Sequence, residues 1–141
     1  MKKIIALVFL SISFLSCMKE QGVDGSKDGF IGKWNLFSMS SSRPNSVTTG
    51  KEMFWQESYT FDKDSTFVKT RVANAKTTTV SGTFSLKKET DGEYLILTYI
   101  KKSELIGSCM GNLQETLYFS DKNILSSTWK NCDGPGLEYK K

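Results

Sequence analysis

The fold is decided by residues 77–101, which read TTTVSGTFSLKKETDGEYLILTYIK. In the first half of this stretch, apolar residues or glycine alternate with polar ones: Val80, Gly82, Phe84 and Leu86. A period of two is typical of a strand that buries one face. Asp91-Gly92 is a hairpin signal, and 93–101 alternates again. Residues 77–87 and 93–101 are therefore predicted to pair as an antiparallel hairpin.

The same pattern continues on both sides of this hairpin. Six further strands are predicted, at 30–39, 54–62, 66–73, 112–119, 124–131 and 137–139. Most connections are short turns, and no stretch shows a helical period. The sequence thus predicts an all-β fold, an eight-stranded antiparallel up-and-down barrel whose closure removes exposed strand edges. A sandwich is the alternative, although the long crossovers of a Greek key are not evident.

The N-terminus has the parts of an export signal. Lys2 and Lys3 are positively charged, and the apolar run 4–15 is too short to span a bilayer, which takes roughly 20 residues. Phe14-Leu15-Ser16-Cys17 resembles the lipobox of bacterial lipoproteins. This resemblance implies a signal peptide at 1–16 and a Cys17 that carries diacylglycerol and an amide-linked acyl chain, such as palmitate. Two or more acyl chains anchor a protein stably. The alternative is an ordinary cleaved signal, in which Cys17 is incidental.

The residues after Cys17 bear on location. Met18 replaces the aspartate that retains some lipoproteins at the inner membrane, so the resemblance favours the outer membrane. Lys19-Glu20 resembles a charged surface-export signal, which leaves both the periplasmic and the surface face open. Residues 17–29 are polar and contain glycine, and we expect a flexible tether there, followed by one domain at 30–141.

Composition excludes several classes of function. Without residues 1–16 the chain has 125 residues and its formal charge falls from +4 to +2, which is too weak to favour nucleic acid. Histidine is absent, so the commonest general base and the commonest transition-metal ligand are missing. We therefore expect no catalysis, no cofactor and no metal site, and we expect a monomer.

The cysteines predict one disulfide. If Cys17 is lipidated, Cys109 and Cys132 remain as an even pair in an exported protein. Their midpoint falls in the turn between the predicted strands 112–119 and 124–131, so the two cysteines lie nearly opposite each other across one hairpin. Two separate buried thiols are the alternative.

Two short motifs suggest a family. Gly32-Lys33-Trp34 is similar to the Gly-x-Trp signature of lipocalins. Residues 81–86 and 94–97 resemble the central hairpin of small lipocalin-like lipoproteins of Bacteroidetes. The resemblance covers residues 30–139 and implies a lipocalin-like barrel, shorter than a full lipocalin and without its helix before the C-terminus.

The alternation also predicts which side chains face the interior and would contact a ligand: Trp34, Trp55, Tyr59, Phe61, Phe67, Phe84, Leu97, Glu115, Leu117, Ser127 and Trp129. Such residues fit a filled core as well as a ligand cavity. The first hypothesis is non-catalytic binding of a small hydrophobic or amphipathic ligand in the cell envelope. The alternative is a protein-binding or inhibitor-type envelope lipoprotein that acts through its loops and has a filled barrel. A third is an accessory subunit for envelope assembly.

Overall fold

The computed structural model describes residues 29–141, so the predicted signal peptide, Cys17 and nearly all of the predicted tether lie outside the described residues. Nine strands make up this part: β1 Gly32–Ser40, β2 Thr48–Thr49, β3 Gln56–Phe61, β4 Thr66–Ala73, β5 Lys76–Glu89, β6 Gly92–Tyr99, β7 Gln114–Asp121, β8 Ile124–Ser127 and β9 Gly136–Lys140. Two short 3₁₀ turns accompany them, Gly50–Glu52 and Trp129–Cys132.

Eight of these strands close into a barrel. From β3 to β9 each strand pairs antiparallel with the next, and β1 closes the ring by pairing with both β3 and β9. The two-residue strand β2 adds to β1 beside this ring, through Ser38 and Met39. The prediction of an all-β, eight-stranded antiparallel barrel is confirmed.

The structure departs from the predicted strands mainly after β8. A single strand was expected over 124–131, but β8 ends at Ser127 and a 3₁₀ turn follows. The hydroxyl of Ser127 accepts a hydrogen bond from the backbone N–H of Trp129, and the N–H of Asn131 donates to the carbonyl of Thr128. These local bonds replace the ladder and turn the chain.

The strand register defines two ends of the barrel. Gly32 lies opposite Phe61, and Ser40 lies opposite Gly136. We call the end near Gly32 the closed end; it contains residues 29–31 and the turns 62–65, 90–91 and 122–123. We call the other the loop end; it contains the segments 41–47, 50–55, 74–75, 100–113 and 128–135.

Aromatic residues plug the closed end. The indole N–H of Trp34 donates to the carbonyl of Phe30 at 2.7 Å, which holds the chain across the barrel bottom. The Phe30 ring meets Phe61 and Phe84 edge to face, with centroids 6.0 and 5.4 Å away. Aromatic pairs prefer this geometry. Gly82 is required nearby, because a Cβ there would lie 2.0 Å from the carbonyl oxygen of Thr98.

A disulfide joins two segments of the loop end. Cys109 and Cys132 are bonded, with their Cα atoms 5.5 Å apart. The predicted disulfide is therefore confirmed. Cys109 precedes β7 and Cys132 follows β8, so the disulfide links segment 100–113 to segment 128–135.

We predict that replacing both Cys109 and Cys132 by serine lowers the free energy of unfolding by about 3 kcal/mol, because the bond closes a loop of 23 residues in the unfolded chain. Urea denaturation followed by tryptophan fluorescence measures this loss. Cys17→Ser is the matched control and should leave the midpoint unchanged. An unchanged midpoint in the double variant would contradict the prediction.

Candidate functional site

Four charged side chains lie inside the barrel toward the loop end. Glu57 is on β3, Lys69 and Arg71 are on β4, and Glu115 is on β7. We call these four residues the ionic cluster. The side chains of Glu57, Lys69 and Glu115 are completely buried, and that of Arg71 is 13% exposed. Lys69 and Arg71 face inward because they have the same parity on β4 as Phe67.

Lys69 is the centre of the ionic cluster. Its ammonium lies 3.0 Å from Oε2 of Glu115 and 3.2 Å from Oε1 of Glu57. It also donates to the carbonyl of Leu105 at 2.6 Å. Its hydrogen bonds therefore go to Leu105 and Glu115, and its contact with Glu57 is an ion pair. Lys69 thereby connects β3, β4, β7 and segment 100–113.

The two carboxylates receive further hydrogen bonds. Tyr99 donates to Oε2 of Glu115, and Tyr139 donates to Oε1 of Glu57 at 2.6 Å. Nε of Arg71 lies 2.5 Å from Oε2 of Glu57. Two positive and two negative charges make the ionic cluster neutral, and buried charges are tolerated only when paired and hydrogen-bonded in this way.

Three tyrosines around the ionic cluster are held neutral. Burial, and then the charge of Glu115, raise the pKa of Tyr59 and Tyr99 well above its usual range. Burial and the charge of Glu57 do the same to the pKa of Tyr139. Loss of a proton would place a third negative charge beside the two carboxylates, so the hydroxyls of Tyr99 and Tyr139 act as hydrogen-bond donors.

Segment 100–113 covers the ionic cluster at the loop end. Leu105 is only 1% exposed, and its carbonyl accepts from Lys69. A Cβ at Gly107 would lie 2.7 Å from Oε1 of Glu115 and 3.0 Å from the Trp129 ring. Only glycine fits between these groups, and the disulfide at Cys109 holds the cover in place.

A groove opens beside this cover. Its volume is about 620 Å³, within the range of roughly 300–1,000 Å³ that small-molecule sites occupy. We call it the mouth groove. It is lined by Met39, Ser40, Ser41, Ser42, Arg43, Ser46, Thr48, Phe54, Trp55, Asp133, Gly134 and Pro135. Seven of these twelve residues are polar or charged and four are apolar, so both kinds of side chain share its walls.

The mouth groove and the ionic cluster meet at Trp55 and Arg71. The guanidinium carbon of Arg71 lies 4.2 Å from the centre of the Trp55 ring, a cation–π contact. Nε1 of Trp55 and Nη2 of Arg71 are both buried and have no hydrogen-bond partner. Each such donor costs about 1–3 kcal/mol. In residues 29–141 one other buried side-chain polar atom, the hydroxyl oxygen of Tyr59, also lacks a hydrogen-bond partner.

The structure places the predicted site residues in or against the core. Eight are buried: Trp34, Tyr59, Phe61, Phe67, Leu97, Glu115, Leu117 and Ser127. Three are half-buried and pack against the core: Trp55, Phe84 and Trp129. The Tyr59 ring stacks on Phe61 at 5.7 Å and meets Phe67 at 6.3 Å, so these side chains fill the space they surround. Trp55 is the one that lines the mouth groove.

Sequence reasoning missed three members of the ionic cluster. Glu115 was predicted to face inward, but Glu57, Lys69 and Arg71 were not recognised. The signal was present: Phe67, Lys69 and Arg71 alternate along 66–73, as do Glu57 and Tyr59 along 54–62. Residues of one parity share a face, so an inward Phe67 implied an inward lysine and arginine.

No family model, no curated protein and no solved structure matches the chain. Within residues 29–141, no three side chains among His, Cys, Asp and Glu are placed to hold a metal ion. The same residues include no helix of the length and hydropathy needed to cross a membrane.

We predict that Lys69→Met lowers the free energy of unfolding by about 3–5 kcal/mol, because it leaves two buried carboxylates without their shared cation. Urea denaturation measures the loss. Lys87→Met is the matched control: Lys87 pairs with Glu89 on the surface, where ion pairs contribute little, so its midpoint should hardly move. Equal midpoints for the two variants would refute a stabilising role for Lys69.

The raised pKa values of Tyr59, Tyr99 and Tyr139 predict alkaline unfolding. The unfolded chain loses these protons near pH 10, whereas the folded chain keeps them, so stability is complete below about pH 10 and falls as the pH rises further. Tyrosinate absorbance and circular dichroism should change together in this step. Tyr59→Phe removes one ionising group whose hydroxyl has no partner and should move the step to higher pH. Ionisation of all five tyrosines with the fold intact would contradict this.

Proposed function

We propose that this protein is a non-catalytic binding protein of the cell envelope, a lipocalin-like lipoprotein that holds a small amphipathic molecule in the mouth groove. The proposal keeps the resemblance to lipocalin-like lipoproteins of Bacteroidetes as its basis for family and location. It differs from the first hypothesis in one respect. The ligand lies at the loop end of the barrel and not in its interior.

The filled interior supports this placement. Trp34, Phe61 and Phe84 occupy the closed end, and the ionic cluster occupies the space toward the loop end. An apolar ligand in the interior would have to displace buried ions from their partners, which is far costlier than displacing water. The predicted inward residues are therefore assigned to the core, with Trp55 as the exception.

The composition of the mouth groove is the observation that carries the proposal. Met39, Phe54, Trp55 and Pro135 give it apolar walls, and Phe54 is 81% exposed. A large exposed apolar side chain beside a concave surface is typical of a binding site. The serines and Arg43 of segment 41–47 add polar side chains to the same lining.

The position of the N-terminal segment is consistent with a lipid anchor. Gly29 lies at the closed end, where its carbonyl accepts from the Lys141 ammonium at 2.9 Å. Gly29, the first residue that the structure describes, therefore lies at the end opposite the mouth groove. If Cys17 carries the lipid at the outer membrane, the groove can face away from the bilayer.

Several features support binding over catalysis. The sequence has no histidine. The two interior carboxylates, Glu57 and Glu115, are completely buried and already bonded to cations and tyrosines, so a substrate has no access to them. The walls of the mouth groove contain one carboxylate, that of Asp133. Acid–base chemistry usually employs two groups with opposed roles.

A second candidate function, binding of an envelope protein, is favoured by a different observation. Six large hydrophobic side chains in the described residues are exposed, and four of them belong to segments of the loop end: Val47, Phe54, Ile100 and Met110, at 64, 81, 76 and 81%. Ile100 and Met110 lie outside the mouth groove. A protein partner would depend on these two residues, whereas a small ligand would not.

We predict that decanol or decanoate, below the micelle concentration, binds the mouth groove and raises the free energy of unfolding by about 2.7 kcal/mol at one hundred times the dissociation constant. Ser42→Trp places an indole in the groove and should abolish binding in calorimetry. Thr83→Trp, on the exposed outer face of β5, is the matched control and should bind normally. Binding that survives Ser42→Trp, or no binding of either compound, would refute the small-ligand proposal and favour a protein partner.

A further inference from the structure

We propose that the mouth groove selects amphiphiles whose polar end is a carboxylate, and that Nε1 of Trp55 and Nη2 of Arg71 bind that carboxylate. This inference rests on the proposed function and adds the chemical class of the ligand. It comes from two buried donors without acceptors. Trp55 lines the groove, and the Arg71 guanidinium lies directly behind it, stacked on the Trp55 ring.

The two donors belong to one rigid unit. Trp55 and Arg71 are stacked, with the guanidinium 4.2 Å from the ring centre. Glu57 holds the guanidinium from the other side, through the contact between its Oε2 and Nε of Arg71 at 2.5 Å. In the Arg71 guanidinium, Nε is therefore bonded to Glu57, and Nη2 has no hydrogen-bond partner.

Both donors are close to the solvent side of the barrel. Trp55 lines the mouth groove, and the Arg71 side chain keeps 13% of its surface exposed. The exposed Phe54 adjoins Trp55 along the chain and lines the same groove.

The chemistry of the two groups determines the ligand class. Indole and guanidinium N–H groups only donate, so they require an acceptor and exclude an ammonium. A carboxylate has two oxygens and can accept from both donors at once, and charge-assisted bonds are about twice as strong as neutral ones.

Net charge does not explain the selection. The ionic cluster is neutral, and the charged residues that line the groove, Arg43 and Asp133, cancel each other. The position of the two donors is therefore the property that distinguishes a carboxylate from an alcohol or an ammonium. A charge-based site would instead depend on Arg43.

Calorimetric titration of the whole protein with decanoate, decanol and decyltrimethylammonium tests the inference. Decanoate should bind about tenfold more tightly than decanol, the gain expected from hydrogen bonds to a charged group, and the ammonium compound should bind most weakly. Trp55→Phe keeps the aromatic ring and removes the donor, so it should abolish the preference for decanoate while decanol binds as before. Lys102→Gln, which removes a loop-end cation outside the groove, is the control and should preserve the preference.

The outcomes separate this inference from the proposed function. If none of the compounds binds, the proposed function is wrong, and the inference fails with it. If decanoate and decanol bind equally, or if Trp55→Phe keeps the preference, the inference alone is overturned, and the two donors then face only bound water. Loss of the preference in Arg43→Gln but not in Trp55→Phe would also overturn it, in favour of selection by charge.

Discussion

The loop end of the barrel depends on one interaction. The Lys69 ammonium is buried between the carboxylates of Glu57 and Glu115. Its ion pairs with Glu57 and Glu115 and its hydrogen bond to the carbonyl of Leu105 join β3, β4, β7 and the cover segment 100–113. A buried ion pair rarely exceeds a well-packed apolar core in stability, but a broken one is very costly. The arrangement therefore specifies one register of strands and one position for the cover, since any other leaves a charge unpaired.

This constraint also supports the place where we propose that a ligand binds. A barrel of eight strands has room for packed side chains or for one small ligand. Here aromatic rings take the closed end and ions take the region toward the loop end, and the mouth groove is a concave surface outside this filled interior. Trp55 and Arg71 connect the two regions, because Arg71 pairs with Glu57 on one side and stacks on a groove residue on the other.

Sequence reasoning predicted the barrel well because the period of two is a local property of each strand. Phe67, Leu97 and Leu117 were placed inward and are buried. The mouth groove could not be predicted, since it joins segments 41–47 and 133–135, whose proximity depends on the pairing of β1 with β9. The disulfide was predicted from the number and spacing of the cysteines. Its role in holding the cover could be seen only from the positions of segments 100–113 and 128–135.

The sequence by itself determined most of the strands and which of their faces point inward, because alternation is written in the order of residues. It also predicted the pairing of Cys109 with Cys132. It also carried the lipobox-like stretch at Cys17. Only the tertiary structure decided the contents of the barrel. Lys69 is separated from Glu115 by 46 positions and Tyr139 from Glu57 by 82, so closure of the sheet alone brings these charges and hydroxyls within bonding distance.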